Sequence, residues 1–466
     1  MTDIKLGADR VDGTRGPILR ALLRLAWPIM TGNMAMVLHQ VVNTLWLGRV
    51  GSDAVAAVAV AFPVMMFMWA MGDGIVLGGS ALVARCTGSG EGDKVNLIAG
   101  QVFISLVLFY GAVAVIAVPL MHRLIVLLGT PAEIAADATI FIRILLLGMP
   151  ITELFFAYTF ILQGTGDTVT PMKMWSATML TNMILDPVLI LGFAFIPGLG
   201  VAGSAISVVA CRLIWVIVVI SYVRRGTHGV QIGREHLWPD LSILRRMCKV
   251  SLPIAGEKML VGAEQIALVS IVAGFGGPVL AAYGVGQRIL SLAIMPSFAA
   301  GTAVTALVGQ NLGAGKVDRG ERSTWLTAGL MLGLLTGLGL AMAAFPGFLI
   351  ALFNNEAEVV ANGISLLRIV GPSMGLLGCF YVFGGAYRAL ERTLPFFGWV
   401  LVSSWVVRVP LAIYLSASMG VTGIWVAMVV ANAFGCVAAG IHQKFRCWGP
   451  LKNFQGVTVI EPATGP

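Results

Sequence analysis

Long apolar runs, each closed by a charged or Gly/Pro-rich break, recur twelve times along the chain. They predict helices over 22–47, 54–80, 96–119, 134–160, 170–194 and 200–223, then over 250–274, 279–308, 324–350, 360–387, 395–418 and 421–443. Each is at or above the roughly 20 residues that a membrane-crossing helix needs. Many are interrupted only by Gly or Pro, which such helices tolerate when neighbours re-satisfy the backbone.

Composition sharpens this pattern. Of 466 residues, 58% are hydrophobic and 11% charged, with mean hydropathy +0.90. A soluble domain carries about 25% charge. A soluble enzyme, a disordered chain and a disulfide scaffold are thereby excluded, and the chain reads as a polytopic membrane protein. The net charge of +8 does not point to nucleic acid, because the basic residues sit at span ends. One set of loops holds 22 Lys and Arg and the other only Arg49 and Arg123. The positive-inside rule then puts both termini in the cytoplasm, with the chain in the cell (inner) membrane. The polar first 16 residues show no cleavable signal, and the six cysteines form no C-x-x-C pair and read as free thiols.

The two halves repeat. A shift of 225 residues brings Ile18-Leu19-Arg20 onto Ile243-Leu244-Arg245, Pro28-Ile29 onto Pro253-Ile254, and Gly88-x-Gly90 onto Gly313-x-Gly315. Arg143 meets Arg368 at the same shift. The expected fold class is an all-α integral membrane protein, twelve transmembrane helices in two six-helix lobes related by a parallel repeat. Its divisions are a cytoplasmic tail 1–16, an N-lobe 17–224, a cytoplasmic linker 225–242, a C-lobe 243–445 and a cytoplasmic tail 446–466. Parallel repeats of this kind hold a substrate path at their interface.

Several segments, taken in order, carry a resemblance: Leu25-Ala26-Trp27-Pro28-Ile29, Val42-Asn43-Thr44-Leu45-Trp46-Leu47-Gly48, Val308-Gly309-Gln310-Asn311-Leu312-Gly313, Gln163-Gly164-Thr165-Gly166-Asp167-Thr168, Leu185-Asp186-Pro187 and Pro197-Gly198-Leu199-Gly200. With them the chain resembles the multidrug and toxic compound extrusion (MATE) family, and its DinF-like branch. The resemblance covers roughly residues 18–445. It implies an antiporter, coupled to H+ or Na+, that exports organic, mostly cationic amphiphiles by alternating access between lobes. It implies no cofactor beyond the coupling ion, and a monomer surrounded by lipid. A flippase for lipid-linked or amphiphilic substrates is the alternative. No Walker, H-E-x-x-H or nucleophile-elbow motif suggests an enzyme, and Gly198-x-Gly200-x-x-Gly203 follows no strand.

Five acids fall inside spans: Asp73, Glu153, Asp186, Glu257 and Glu264. An intramembrane carboxylate is a functional candidate by default. Asn182 lies one turn before Asp186, Pro187 frees the Met183 carbonyl, and a hairpin centred near 195 would bring Ser204 to the same depth. A carboxylate, an amide oxygen and a hydroxyl suit a small hard cation, and a desolvated carboxylate suits a proton; capping of a Pro-broken helix is the competing reading. The resemblance implies a coupling-cation site at Asn182, Asp186 and Ser204 plus a first-span acid. This chain has Asn43 at that last position, so Na+ there would have one carboxylate among Asp186, Asn182, Ser204 and Asn43. His39, one turn before Asn43, is either a structural histidine or a proton-binding partner of Asp186. Its repeat mate is Glu264, which would contact cation or substrate. Asp73, between two glycines, lines a cavity or marks a kink. Glu257 reads as the local partner of Lys258, Glu153 as structural, and Arg143 and Arg368 as braces. Arg408 falls at the second lobe's counterpart of Asp186.

Overall fold

The computed structural model describes residues 10–127, 129–193 and 196–453. The outer parts of both expected tails, 1–9 and 454–466, lie outside the described residues. Twelve long helices among them form two sets of six: α1 Ile18–Val50, α2 Ser52–Gly88, α3 Gly92–Leu127, α4 Ala132–Thr165, α5 Val169–Ile190 and α6 Gly200–Arg225, then α7 Leu241–Ala273, α8 Gly277–Gly313, α9 Val317–Ala344, α10 Ala357–Ala389, α11 Thr393–Met419 and α12 Val421–Lys452. Ten are long and apolar enough to cross a membrane by length and composition alone. The other two, α5 and α7, are the helices that carry Asp186, Glu257 and Glu264. The repeat is visible in the boundaries, since α2 recurs as α8 with both ends displaced by 225 residues.

Most helices run a few residues beyond the expected ends, α3 to Leu127 and α12 to Lys452, and three boundaries differ for a local reason. Helix α5 stops at Ile190, not 194, where Gly192 takes a left-handed φ of 89° and two-residue strands Gly192–Phe193 and Ile196–Pro197 pair antiparallel. Asp186 is therefore one turn from its helix end, closer than the span length suggested. Helix α9 ends at Ala344, because Pro346 cannot continue it and instead opens the six-residue helix Pro346–Ala351. The inter-lobe linker contains a short 3-10 turn, Arg234–Leu237, and α7 already begins at Leu241.

Each lobe has its own apolar core, and a third joins them. In this third core Leu22, Leu25 and Ile29 of α1 pack on Ala300, Val304 and Leu307 of α8. All three sit in the halves of the helices that lead toward the face bearing both chain ends; Lys452 is 3.2 Å from Asp318 there. We refer to this as the terminal face. The repeat mates Gly88 and Gly313 make a close backbone crossing between the lobes: a Cβ on Gly88 would overlap the Gln310 carbonyl, and one on Gly313 the Arg85 carbonyl. Small residues let membrane helices approach to backbone contact.

Polar ties close the same face. Residues 10–16, expected as free tail, form a strap across both lobes. Val11 N donates to Gly166 O at 3.0 Å and Arg10 Nε to Thr165 O on the first lobe. On the second, Gly13 N donates to Gln310 Oε1 at 2.9 Å, and Lys316 Nζ donates to Thr14 O at 2.9 Å. Glu391 accepts from Arg85 of α2 at 2.8 Å and from Arg246 of α7 at 2.6 and 2.7 Å. Burial works to raise the Glu391 pKa, but the two guanidinium groups outweigh it and hold the carboxyl below its ordinary value. Toward the opposite face Leu38, Leu45, Phe62, Met66 and Ile266 are exposed.

The glycine crossing yields a paired test. Gly88→Val and Gly313→Val, being repeat mates, should each cost about 1–3 kcal/mol, read as a lowered unfolding midpoint in detergent. A midpoint unchanged in both variants would mean that the helices do not cross there.

Candidate functional site

Asp186 has no solvent exposure. Pro187 lies inside α5 and the helix runs on to Ile190, so the carboxylate does not cap a broken end. Its oxygens instead take donors from two other helices. Ser207 Oγ of α6 donates to Oδ1 at 2.6 Å. Asn43 Nδ2 of α1 donates to Oδ2 at 3.1 Å. Asn43 and Ser204 exchange two further hydrogen bonds, at 3.0 and 3.1 Å. His39 Nε2 lies 3.4 Å from Oδ2, within ion-pair range, with no hydrogen-bond partner of its own.

Asn43, His39, Asp186 and Ser204 thus converge. Asn182 is buried on the same helix, but its amide donates to Thr178 O at 3.1 Å, and its Oδ1 has no partner. Ser207 was not singled out in the sequence, although it stands three residues after Ser204 and hence on the same helical face.

The second lobe repeats the arrangement with its polarity exchanged. Glu264, the repeat mate of His39, is buried and accepts from Arg408 Nη1 and Ser404 Oγ, each at 2.5 Å. Arg408 Nη2 also donates to Asn432 Oδ1 at 2.7 Å. A π-helical stretch, Val402–Arg408, turns both α11 side chains inward; such bulges recur where a helix must present particular groups. The Glu264 carboxylate is therefore neutralised inside its lobe and sealed from solvent, which leaves it no free oxygen face for the cation or substrate contact expected of it.

The remaining charges gather between these two sites. Asp73 of α2 lies 3.4 Å from Lys258 of α7, both about one-third exposed. Glu257 lies 3.8 Å from Arg388 and both are buried. The expected Glu257–Lys258 pair is therefore corrected, since neighbours in a helix do not face each other. Glu153 is buried, with Asp73 and Arg212 as the nearest charges acting on it. Arg212 sits over Trp175 at 4.5 Å, Phe155 at 4.6 Å and Phe156 at 5.4 Å, a cation–π cage that composition gives no sign of. Arg143 braces α4 to α3 by donating to Val118 O at 3.1 Å. Among the described residues no group of three or more His, Cys, Asp or Glu is placed to hold a metal.

The sequence model of a family described as MatE matches residues 28–188 and 253–414, one match per lobe. The chain is 30% identical to the probable multidrug resistance protein YoeA of Bacillus subtilis over 440 residues, covering 92% of this chain and 94% of that one. It is 27% identical to the probable multidrug resistance protein YpnP of the same organism, covering 95% and 98%. A solved structure described as MATE in the bent conformation superposes with a TM-score of 0.90 at 21% identity, over 97% of this chain and all of that one.

The locked second-lobe pair makes a prediction of its own. Arg408→Met should cost about 3–5 kcal/mol by stranding Glu264, and adding Glu264→Gln should recover most of it. Detergent unfolding midpoints of the single and double variants check this.

Proposed function

The chain belongs to the MatE family of membrane transporters, and on that premise we propose that it is a secondary antiporter that exports organic amphiphiles against proton entry at Asp186. The observation that carries this reading is the fully buried carboxylate with an imidazole at 3.4 Å and donors from two further helices. The names of its relatives, multidrug resistance proteins, support drug-like compounds as cargo.

The terminal face is cytoplasmic in this reading, following the asymmetry of Lys and Arg, and the protein lies in the cell membrane. The lobes are 17–224 and 243–445, joined by the linker 225–242. The strap and the glycine crossing close the terminal face, so in this reading the site is reached from the opposite side.

Proton is the coupling ion that suits the donor set best. Both Asp186 oxygens already accept hydrogen bonds, and Asn43 turns its NH2 toward the carboxylate. A dehydrated Na+ would need those donors replaced by oxygens, with only Asn182 Oδ1 unengaged. A proton needs no such rearrangement. It arrives from the open side, is shared between Asp186 and His39, and removes the charge that holds Asn43. That releases a tie between α1 and α5, and α1 is also the helix that packs on α8 of the other lobe. Coupling then requires only that the two conformations bind the proton with different affinity. With Asn43 in place of an acid, one positive charge moves per cycle, worth roughly 2.3 kcal/mol per 100 mV.

Three outcomes test this. In proteoliposomes, ethidium export should follow an imposed pH gradient and not a Na+ gradient; export driven by Na+ alone would overturn the proton assignment. Asp186→Asn should abolish gradient-driven export while the protein still elutes as a single folded species. His39→Gln should slow export by about tenfold or more, the scale of losing one proton-transfer group.

A further inference from the structure

One ion pair, Asp73 with Lys258, joins the lobes at the depth where α2 meets α7, and this bears on cargo. Along α2, inter-lobe contact runs from Gly88 through Gly78 and Gly74, where added Cβ atoms would meet Ser251 and Ala255 of α7. It stops there. The next residues, Asp73 on α2 and Lys258 on α7, form the half-exposed pair at 3.4 Å, and beyond them the apolar side chains of Met66 and Ile266 are exposed. The pair therefore bridges the two lobes while each side chain stays about one-third exposed. Behind it stand the buried Glu257–Arg388 pair and the buried side chains of Glu153 and Arg212.

We propose that Asp73 and Lys258 bind a zwitterionic amphiphile, its cationic group on Asp73 and its anionic group on Lys258, with its apolar body against the exposed side chains above them. The proposal rests on the export reading and names the cargo's charge pattern within it. Exchange is the physical basis. A molecule carrying both charges replaces each partner of the ion pair, and leaves no charge stranded. A simple cation that takes Asp73 leaves Lys258 unpaired beside it, a like charge at close range. Because Asp73 belongs to one lobe and Lys258 to the other, such a ligand also spans the joint that must open, so separation of the two helices on this side would release it.

Rhodamine B, a zwitterion at neutral pH, and its ethyl ester, a cation with nearly the same apolar body, make a matched pair of probes. Binding to purified full-length protein is read by fluorescence anisotropy. Lys258→Met removes the charge and keeps the apolar stem. It should weaken rhodamine B about fivefold, the scale of a half-exposed charge pair, and leave the ester unchanged or tighter. Asp73→Asn should weaken both dyes. Equal loss of both dyes in Lys258→Met would make the pair a structural tie only and overturn the proposal, as would rhodamine B binding that ignores either substitution. Should the fold suffer in Lys258→Met, Lys258→Arg must restore the wild-type ratio of the two dyes. Efflux of the ester by wild-type vesicles is read separately. Ester export without the charge-dependent ratio sinks this inference and spares the export reading, whereas no export of either dye sinks the latter.

Discussion

A carboxylate with no exposure, at membrane depth, must be either neutral or fully engaged by donors, since the unpaired charge costs several kcal/mol. Asp186 meets that constraint by recruiting Ser207 from α6 and Asn43 from α1. The packing of three helices is thereby tied to the charge of one group. Helix α1 carries this outward: its distal half holds Asn43 and His39, and its terminal half packs Leu22, Leu25 and Ile29 on α8. Few other elements in the molecule touch both the buried acid and the opposite lobe, so a change of charge at Asp186 has a direct mechanical route across the interface.

The polarity exchange between lobes explains why only one of them can serve in this way. His39 and Asp186 occupy places that Glu264 and Arg408 occupy in the repeat, with acid and base traded. A guanidinium stays protonated at any relevant pH and offers a planar fork of donors. Arg408 uses it on Glu264 and Asn432 together, and Ser404 fills the remaining carboxylate oxygen. Imidazole changes charge within the physiological range. The same geometry is thus a fixed strut in one lobe and a responsive pair in the other.

Much of this was legible in the residues, and the misses have physical reasons. Apolar periodicity gave twelve helices, and Gly, Pro and Arg in constant register gave the repeat, because both are long-range patterns that single substitutions do not erase. Asn43, Asp186 and Ser204 were legible through motif resemblance and hairpin geometry. Ser207 was recoverable from its i,i+3 spacing to Ser204. The Glu264–Arg408 pair was also within reach, since a shift of 225 maps His39 onto Glu264 and a slightly shorter one, 222, maps Asp186 onto Arg408. Pairing Glu257 with Lys258 failed because sequence adjacency in a helix separates side chains by about 100°; Glu257 reaches Arg388 and Lys258 reaches Asp73 instead. The strap over residues 10–16 has no periodicity at all, and its partners at Gly166 and Gln310 lie far away in sequence.

The closure at the terminal face differs in kind from the buried sites, and in the proposed export cycle it is this face that opens. The Gly88 and Gly313 crossing makes close backbone contact without directional bonds. The strap and the Glu391 cluster are made of single hydrogen bonds and partly exposed ion pairs, each worth about 1 kcal/mol or less in contact with water. Their breakage returns the groups to solvent, so none is stranded. A buried pair such as Glu264–Arg408 could not be parted on those terms. Closure assembled from many small, separately replaceable ties can be stable in sum, yet lie only a few kcal/mol from its open alternative. That is the range in which one ligand or one proton, bound more tightly by one state, can move the balance.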